Sequence, residues 1–157
     1  MHRHIFQKSI AAIAAGAIAA TSFAVLPSFS ASAAATILSS DFSNGSSGWS
    51  TYKASGGSCS MGVENGKLAL TVNSVGTLNY SVQVGYDVVP LYQNGVYRLK
   101  YDISSTEDCT VEQMIQQNGG TYQSYTWKGL DLTAETQTVD YTFTMKHSAF
   151  TDSHRVD

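Results

Sequence analysis

The stretch 111–127, VEQMIQQNGGTYQSYTW, sets Gln113, Gln116, Gln117 and Asn118 beside Tyr122, Tyr125 and Trp127. Carboxamides both donate and accept hydrogen bonds, and aromatic faces are flat and apolar. Together they suit an uncharged sugar chain: a ring stacks on the apolar face of a pyranose while amides bond its hydroxyls. The same aromatics would also serve as core filling in an all-β domain. Asn118-Gly119-Gly120 stands between two extended runs, a strong short-range hairpin signal.

Catalytic chemistry has less to stand on. The acidic residues Glu64, Glu107, Asp108, Glu112, Asp131, Glu135 and Asp140 fall in turns or at solvated strand positions. None makes the paired-carboxylate constellation of a glycosidase. No Ser sits in Gly-x-Ser-x-Gly, and His147 and His154 stand in a polar tail where exposed, unstructured histidines are expected. The residues offer no nucleophile–base pair.

The elements that must carry the amides and rings begin after a leader. Arg3 and Lys8 precede an apolar, Ala-rich run from Ile10 to Leu26, and Ala31-Ser32-Ala33 is a small-x-small cleavage site. Residues 1–33 are expected to be a helical secretory signal peptide, and 34–157 one exported domain with no membrane segment after cleavage. Removing Arg3 and Lys8 leaves seven Lys and Arg against twelve Asp and Glu, a net charge of −5. That balance excludes a nucleic-acid-binding surface. Export makes a Cys59–Cys109 disulfide the default expectation, with a metal site the weaker alternative.

Alternation supplies the strands. Lys67–Asn73 puts Leu68, Leu70 and Val72 on one face; Leu78–Val84 puts Tyr80, Val82 and Val84 opposite Asn79, Ser81 and Gln83. Val96–Ile103 aligns Tyr97, Leu99, Tyr101 and Ile103, and Gln137–Met145 aligns Val139, Tyr141, Phe143 and Met145. Residues 53–66 read as a Gly/Ser-rich connection ending in the Glu64-Asn65-Gly66 turn. Outside the leader no stretch keeps helical periodicity, so the fold class is all-β, an antiparallel β-sandwich. Arg155-Val156-Asp157 reads as the start of a further strand, and the domain is expected to lack its last strand or strands, with an open edge as the cost.

From residue 39 to about 145 the chain resembles the family 4 carbohydrate-binding modules of bacterial cellulases, the CenC-type cellulose-binding domain. The resemblance rests on Asp41-Phe42-Ser43-Asn44-Gly45 before Gly48-Trp49-Ser50-Thr51-Tyr52, then Asn79-Tyr80-Ser81-Val82-Gln83-Val84, then Asn94-Gly95-Val96-Tyr97-Arg98-Leu99. Gln117-Asn118-Gly119-Gly120-Thr121-Tyr122 and Tyr141-Thr142-Phe143-Thr144 complete it. It implies a jelly-roll sandwich whose groove holds one β-glucan chain. Its aromatic positions fall on Tyr52, Tyr80 and Tyr122, with Val82 beside Tyr80 and Asn118 as a hydroxyl partner. Gln83 and Gln116 are further amide candidates. The family's groove arginine is replaced by Glu112, and the first of two amides on its last strand by Arg155. A structural calcium is implied at Asp41 and Gly66, but its C-terminal Asp has no counterpart, and no cofactor is required for binding. The family's disulfide does not map onto Cys59 and Cys109. The resemblance implies a secreted monomer, attached in its parent protein to a glycoside hydrolase, whose hydrolase label would belong to that partner domain. A structural or adhesion sandwich with packed tyrosines is the competing expectation.

Overall fold

The computed structural model describes residues 34–147 together with the strand segments His2–Gln7, Ile10–Ala11 and His154–Val156. In chain order the strands are β1 (His2–Gln7), β2 (Ile10–Ala11), β3 (Trp49–Lys53), β4 (Gly57–Glu64), β5 (Lys67–Val75) and β6 (Val82–Val89). They continue with β7 (Val96–Ser105), β8 (Cys109–Gln117), β9 (Ser124–Leu132), β10 (Gln137–Thr144) and β11 (His154–Val156). One sheet runs β10-β7-β1-β5-β4, with β2 also on β7; the other runs β3-β6-β11-β8-β9. All described pairings are antiparallel. Among the described residues no helix is long and apolar enough to cross a membrane.

Period-two patterning explains which faces meet. On β7, Tyr97, Leu99, Tyr101 and Ile103 are buried, as their alternation requires. They join Val89, Ile115, Leu132, Val139 and Met145 in one apolar cluster between the sheets. A second cluster gathers Phe42, Cys59, Leu68, Leu70, Val72 and Val84. Trp49 packs against it and lies 5.8 Å from Phe42 and 5.7 Å from Tyr86, centroid to centroid. Its indole N–H donates to Ser40 Oγ at 3.0 Å. The Asp41–Tyr52 motif therefore builds core at Phe42 and Trp49 and presents Tyr52 as its exposed ring.

Three expectations are corrected. The first concerns 53–66, which contain the eight-residue strand β4. Cys59, Met61 and Val63 alternate inward on it, and Asn65-Gly66, both at positive φ, close a tight hairpin pairing Glu64 with Lys67. The small residues between those positions hid the period.

The second correction concerns Leu78–Val84, which is extended only from Val82 onward. Ser81 N–H donates to the Leu78 carbonyl and Leu78 N–H to Ser81 Oγ, both at 3.0 Å, so a turn replaces the first half of the expected strand.

The third is the disulfide. Cys59 and Cys109 carry thiols that are not joined. They stand in different sheets and different apolar clusters; Cys59 is buried on β4, and the Cys109 thiol lies 3.4 Å from Ser105 Oγ.

The expected helical leader falls partly outside the described residues, which omit 12–33. Its described parts, His2–Gln7 and Ile10–Ala11, are extended instead. β5 and β7 do not pair with each other, and β1 satisfies the backbone groups along both facing edges.

Candidate functional site

The outward face of the β3-β6-β11-β8-β9 sheet carries the site. On β3, Ser50 and Tyr52 point outward, since Trp49 on the same strand packs inward. On β6, Val82 and Val84 pack into the second apolar cluster, which turns Gln83 and Asp87 to the outer face. On β8, Ile115 is core, so Glu112, Met114 and Gln116 face out.

A trough of about 1100 Å³ opens from this face through the sheet to the core residues between the two sheets. Its lining includes Tyr52, Tyr80, Tyr122, Gln83, Gln116 and Glu112. The three tyrosines come from three separate elements and are 46%, 47% and 57% exposed. Val82 lines the same space from its packed, inward position. The trough is deep: Leu70, Leu99 and Ile103 of the opposite sheet reach it. β11 covers only three residues, pairing Val156 with Tyr86 on one side and Ile115 on the other. Among the described residues no strand lies between Val82–Gly85 and Thr110–Met114. Burial pushes the Tyr101 phenol at this floor well above its ordinary value, so it is neutral.

Each exposed ring is held by its own local device. Tyr52 is fixed by strand pairing opposite Gln83. Tyr80 rides on a loop anchored by Ser81, which is fully buried. The Ser81 carbonyl accepts from Ala54 N–H at 2.9 Å. A Cβ built on Gly57 would lie 2.3 Å from that carbonyl oxygen, and one on Gly76 would lie 2.4 Å from Ser81 Cβ. Only glycine permits so close an approach. Tyr122 stands at φ +51°, at the end of a compact turn that its N–H closes onto the Gly119 carbonyl at 3.0 Å.

The sequence-derived site is thus largely assembled in one place, with exceptions. Asn118 does not line the trough; its side-chain N–H donates to the Asp87 carbonyl at 3.3 Å. Asn79, which the sequence reading left out, reaches Glu112 Oε2 at 3.5 Å across the trough. His147 is exposed, as expected, with its ring 5.4 Å from that of Tyr125, whereas His154, expected to be unstructured, begins β11.

Two of the positions expected to hold calcium lie close together. Gly66 and the Asp41 carbonyl are neighbours, with a Gly66 Cβ falling 4.0 Å from that oxygen. Asp41 Oδ1 already accepts from Ser43 N–H at 3.0 Å and Ser43 Oγ at 2.8 Å, which holds the carboxyl below its usual range. Among the described residues no three His, Cys, Asp or Glu side chains group to hold a metal, and calcium asks for six to eight oxygens.

A family model described as a carbohydrate binding domain, CBM4/9, matches residues 34–154. The chain belongs to this family. Over 127 residues the CBM4/9 domain is 31% identical to Endoglucanase C of Cellulomonas fimi, a match covering 81% of this chain and 11% of that protein. It is 34% identical over 110 residues to a cellulose 1,4-beta-cellobiosidase of Acetivibrio thermocellus, covering 63% of this chain and 12% of that one. The chain therefore spans about a tenth of the length of these curated relatives. A solved structure described as "CBM4 structure and function" superposes with a TM-score of 0.65 at 23% identity, over 74% of this chain and 78% of that one. It establishes the sandwich fold of the CBM4/9 domain, and membership of the family makes a carbohydrate its ligand class.

Proposed function

We propose that this domain binds single chains of soluble or amorphous β-1,4-glucan along the trough, without catalysis, and holds an attached glycoside hydrolase on plant cell-wall polysaccharide outside the cell. The observation that carries this reading is the convergence of Tyr52, Tyr80 and Tyr122, all exposed, with Gln83 and Gln116 in one furrow. A purely structural sandwich has no use for three exposed rings there, since burial of such area is what stabilises a core.

A neutral glucan gives no ionic attraction, so affinity rests on stacking and hydrogen bonds. Stacking on one ring is worth roughly 1–3 kcal/mol by truncation in the base-stacking case, and a sugar falls toward the lower end. Two or three such rings with a few amides give about −4 to −8 kcal/mol, a Kd from millimolar to micromolar. Weak binding suits a module that must release and rebind a polymer, and tethering converts it into a high effective concentration of the attached enzyme.

The test is affinity electrophoresis of the full chain on a panel of soluble glucans, including cellulose derivatives, mixed-linkage glucan and xylan. Retardation on β-1,4-linked polymers is expected, with no release of reducing ends. Unretarded migration on every polymer would overturn the reading.

A further inference from the structure

The register of the trough sheet places one more aromatic on the sugar-binding face. β11 is antiparallel to both β6 and β8 and pairs Val156 with Tyr86 and Ile115, so those two residues stand level. Three residues earlier on each strand, Gln83 is level with Glu112. Gln83 pairs with Tyr52 on β3, and Glu112 pairs with Gly129 on β9. One row thus crosses the outer face: Tyr52, Gln83, Glu112, Gly129.

Trp127 is two residues before Gly129, hence on the same face. Its neighbours confirm the parity, because both turn toward the opposite sheet. Thr126 Oγ1 lies 3.4 Å from the Tyr141 hydroxyl, and Lys128 Nζ stands 4.6 Å from the centre of the Tyr141 ring. Trp127 pairs with Met114, which lines the trough, and is 56% exposed. A Cβ built on Gly129 would lie 3.6 Å from Trp127 Cη2 and 3.9 Å from Cζ2. The six-membered end of the indole therefore extends along β9 to Gly129, into the row that Tyr52 begins.

We propose that Trp127 is a further stacking platform for the glucan chain. The site then runs the full width of the sheet from Tyr52 to Trp127, four strand spacings or ~19 Å. The proposal rests on the trough being the sugar site, and its test separates the two.

The chain holds two tryptophans, and Trp49 is half-buried and bonded to Ser40. Trp49 also lines the trough, so the part of a ligand-induced emission change that Trp127→Ala loses is what reports Trp127. The full chain is titrated with cello-oligosaccharides of increasing length, following emission and affinity in the native protein, Trp127→Ala and Gly129→Val. The native emission is expected to change saturably. Trp127→Ala should lose that change and bind the longest oligosaccharides about 5- to 20-fold more weakly, while the two proteins bind the shortest alike. Gly129→Val, whose γ-methyls extend beyond a Cβ that already touches the ring, should give a smaller loss of the same kind. Native binding with unaltered emission, or unchanged affinity of Trp127→Ala at every length, overturns the assignment of Trp127 and leaves the trough reading standing. Absence of binding by the native domain at every length overturns both.

Discussion

The Asn118 carboxamide donates to the Asp87 main-chain carbonyl at 3.3 Å and so ties the β8–β9 loop to β6, across β11. Asp87 Oδ2 in turn accepts from Ser50 Oγ on β3 at 3.2 Å. The loop that carries Tyr122 is thereby braced against strands on the far side of the sheet. Asn118→Ala should lower the stability of the sugar-free domain by about 1 kcal/mol, the worth of one such hydrogen bond. A melt without sugar should shift down by ~3–8 °C. An unchanged melt with lost affinity would instead make Asn118 a direct ligand contact.

Tyr122→Ala tests the ring itself. The side chain is 57% exposed and bonded to nothing that the fold requires, so the melting curve should stay where it is. Affinity for soluble β-glucan should fall about 5- to 10-fold, the lower end of the stacking range. Unaltered mobility in a glucan gel would remove Tyr122 from the site.

Gly57→Ala should be disproportionately harmful. The added methyl would sit 2.3 Å from the Ser81 carbonyl oxygen, and main chain cannot yield as a flexible side-chain end does. Overpacking of this kind costs about 1–3 kcal/mol. The displaced loop carries Tyr80, so chemical denaturation and glucan affinity should both be impaired. Full affinity at normal stability would show that the Ser81 anchor is not what orients Tyr80.

Stability should weaken in acid, whereas binding should not vary near neutrality. Arg98 grips Asp140 through Nε to Oδ1 at 2.6 Å and through Nη2 to Oδ2, which holds the Asp140 carboxyl below its ordinary value near 3.8. A depressed carboxyl contributes stability above its unfolded pKa and loses it as pH falls through the folded one. The melting temperature should therefore drop below about pH 4, and less steeply in Asp140→Asn. The pair is part-exposed and lies on β7 and β10, away from the trough, so the effect is modest. Glucan affinity should be flat from about pH 6 to about pH 8, because carboxamides and sugar hydroxyls carry no charge that changes in that range.

Alternation made β5, β7 and β10 legible, because Leu, Ile, Tyr and Val recur at every second position with one face buried. β4 escaped notice because glycine and serine fill its outward positions and dilute the signal. Tyr80 lines the same trough as Tyr52 and Tyr122, but from a loop where a strand was expected. The run from Leu78 to Val84 alternates in sequence, yet Ser81 Oγ captures the Leu78 N–H and turns the chain. Side-chain-to-backbone competition of that kind leaves little trace in hydropathy. The tyrosines of the trough could be named from motif spacing. Asn118 could not be told from a ligand contact, since a carboxamide that braces a loop and one that bonds a sugar look alike in sequence. Trp127 was visible as an aromatic, but its face depends on register across five strands.

The exposure of Tyr52, Tyr80 and Tyr122 above a floor of already buried Leu70, Leu99 and Ile103 gives binding a calorimetric character. A glucan chain laid on the rings removes their apolar faces from water, and apolar burial lowers heat capacity. The heat of association should therefore grow more exothermic on warming, with a negative ΔCp no larger than the rings themselves supply. Occupancy should also raise the unfolding temperature, by mass action on the folded state.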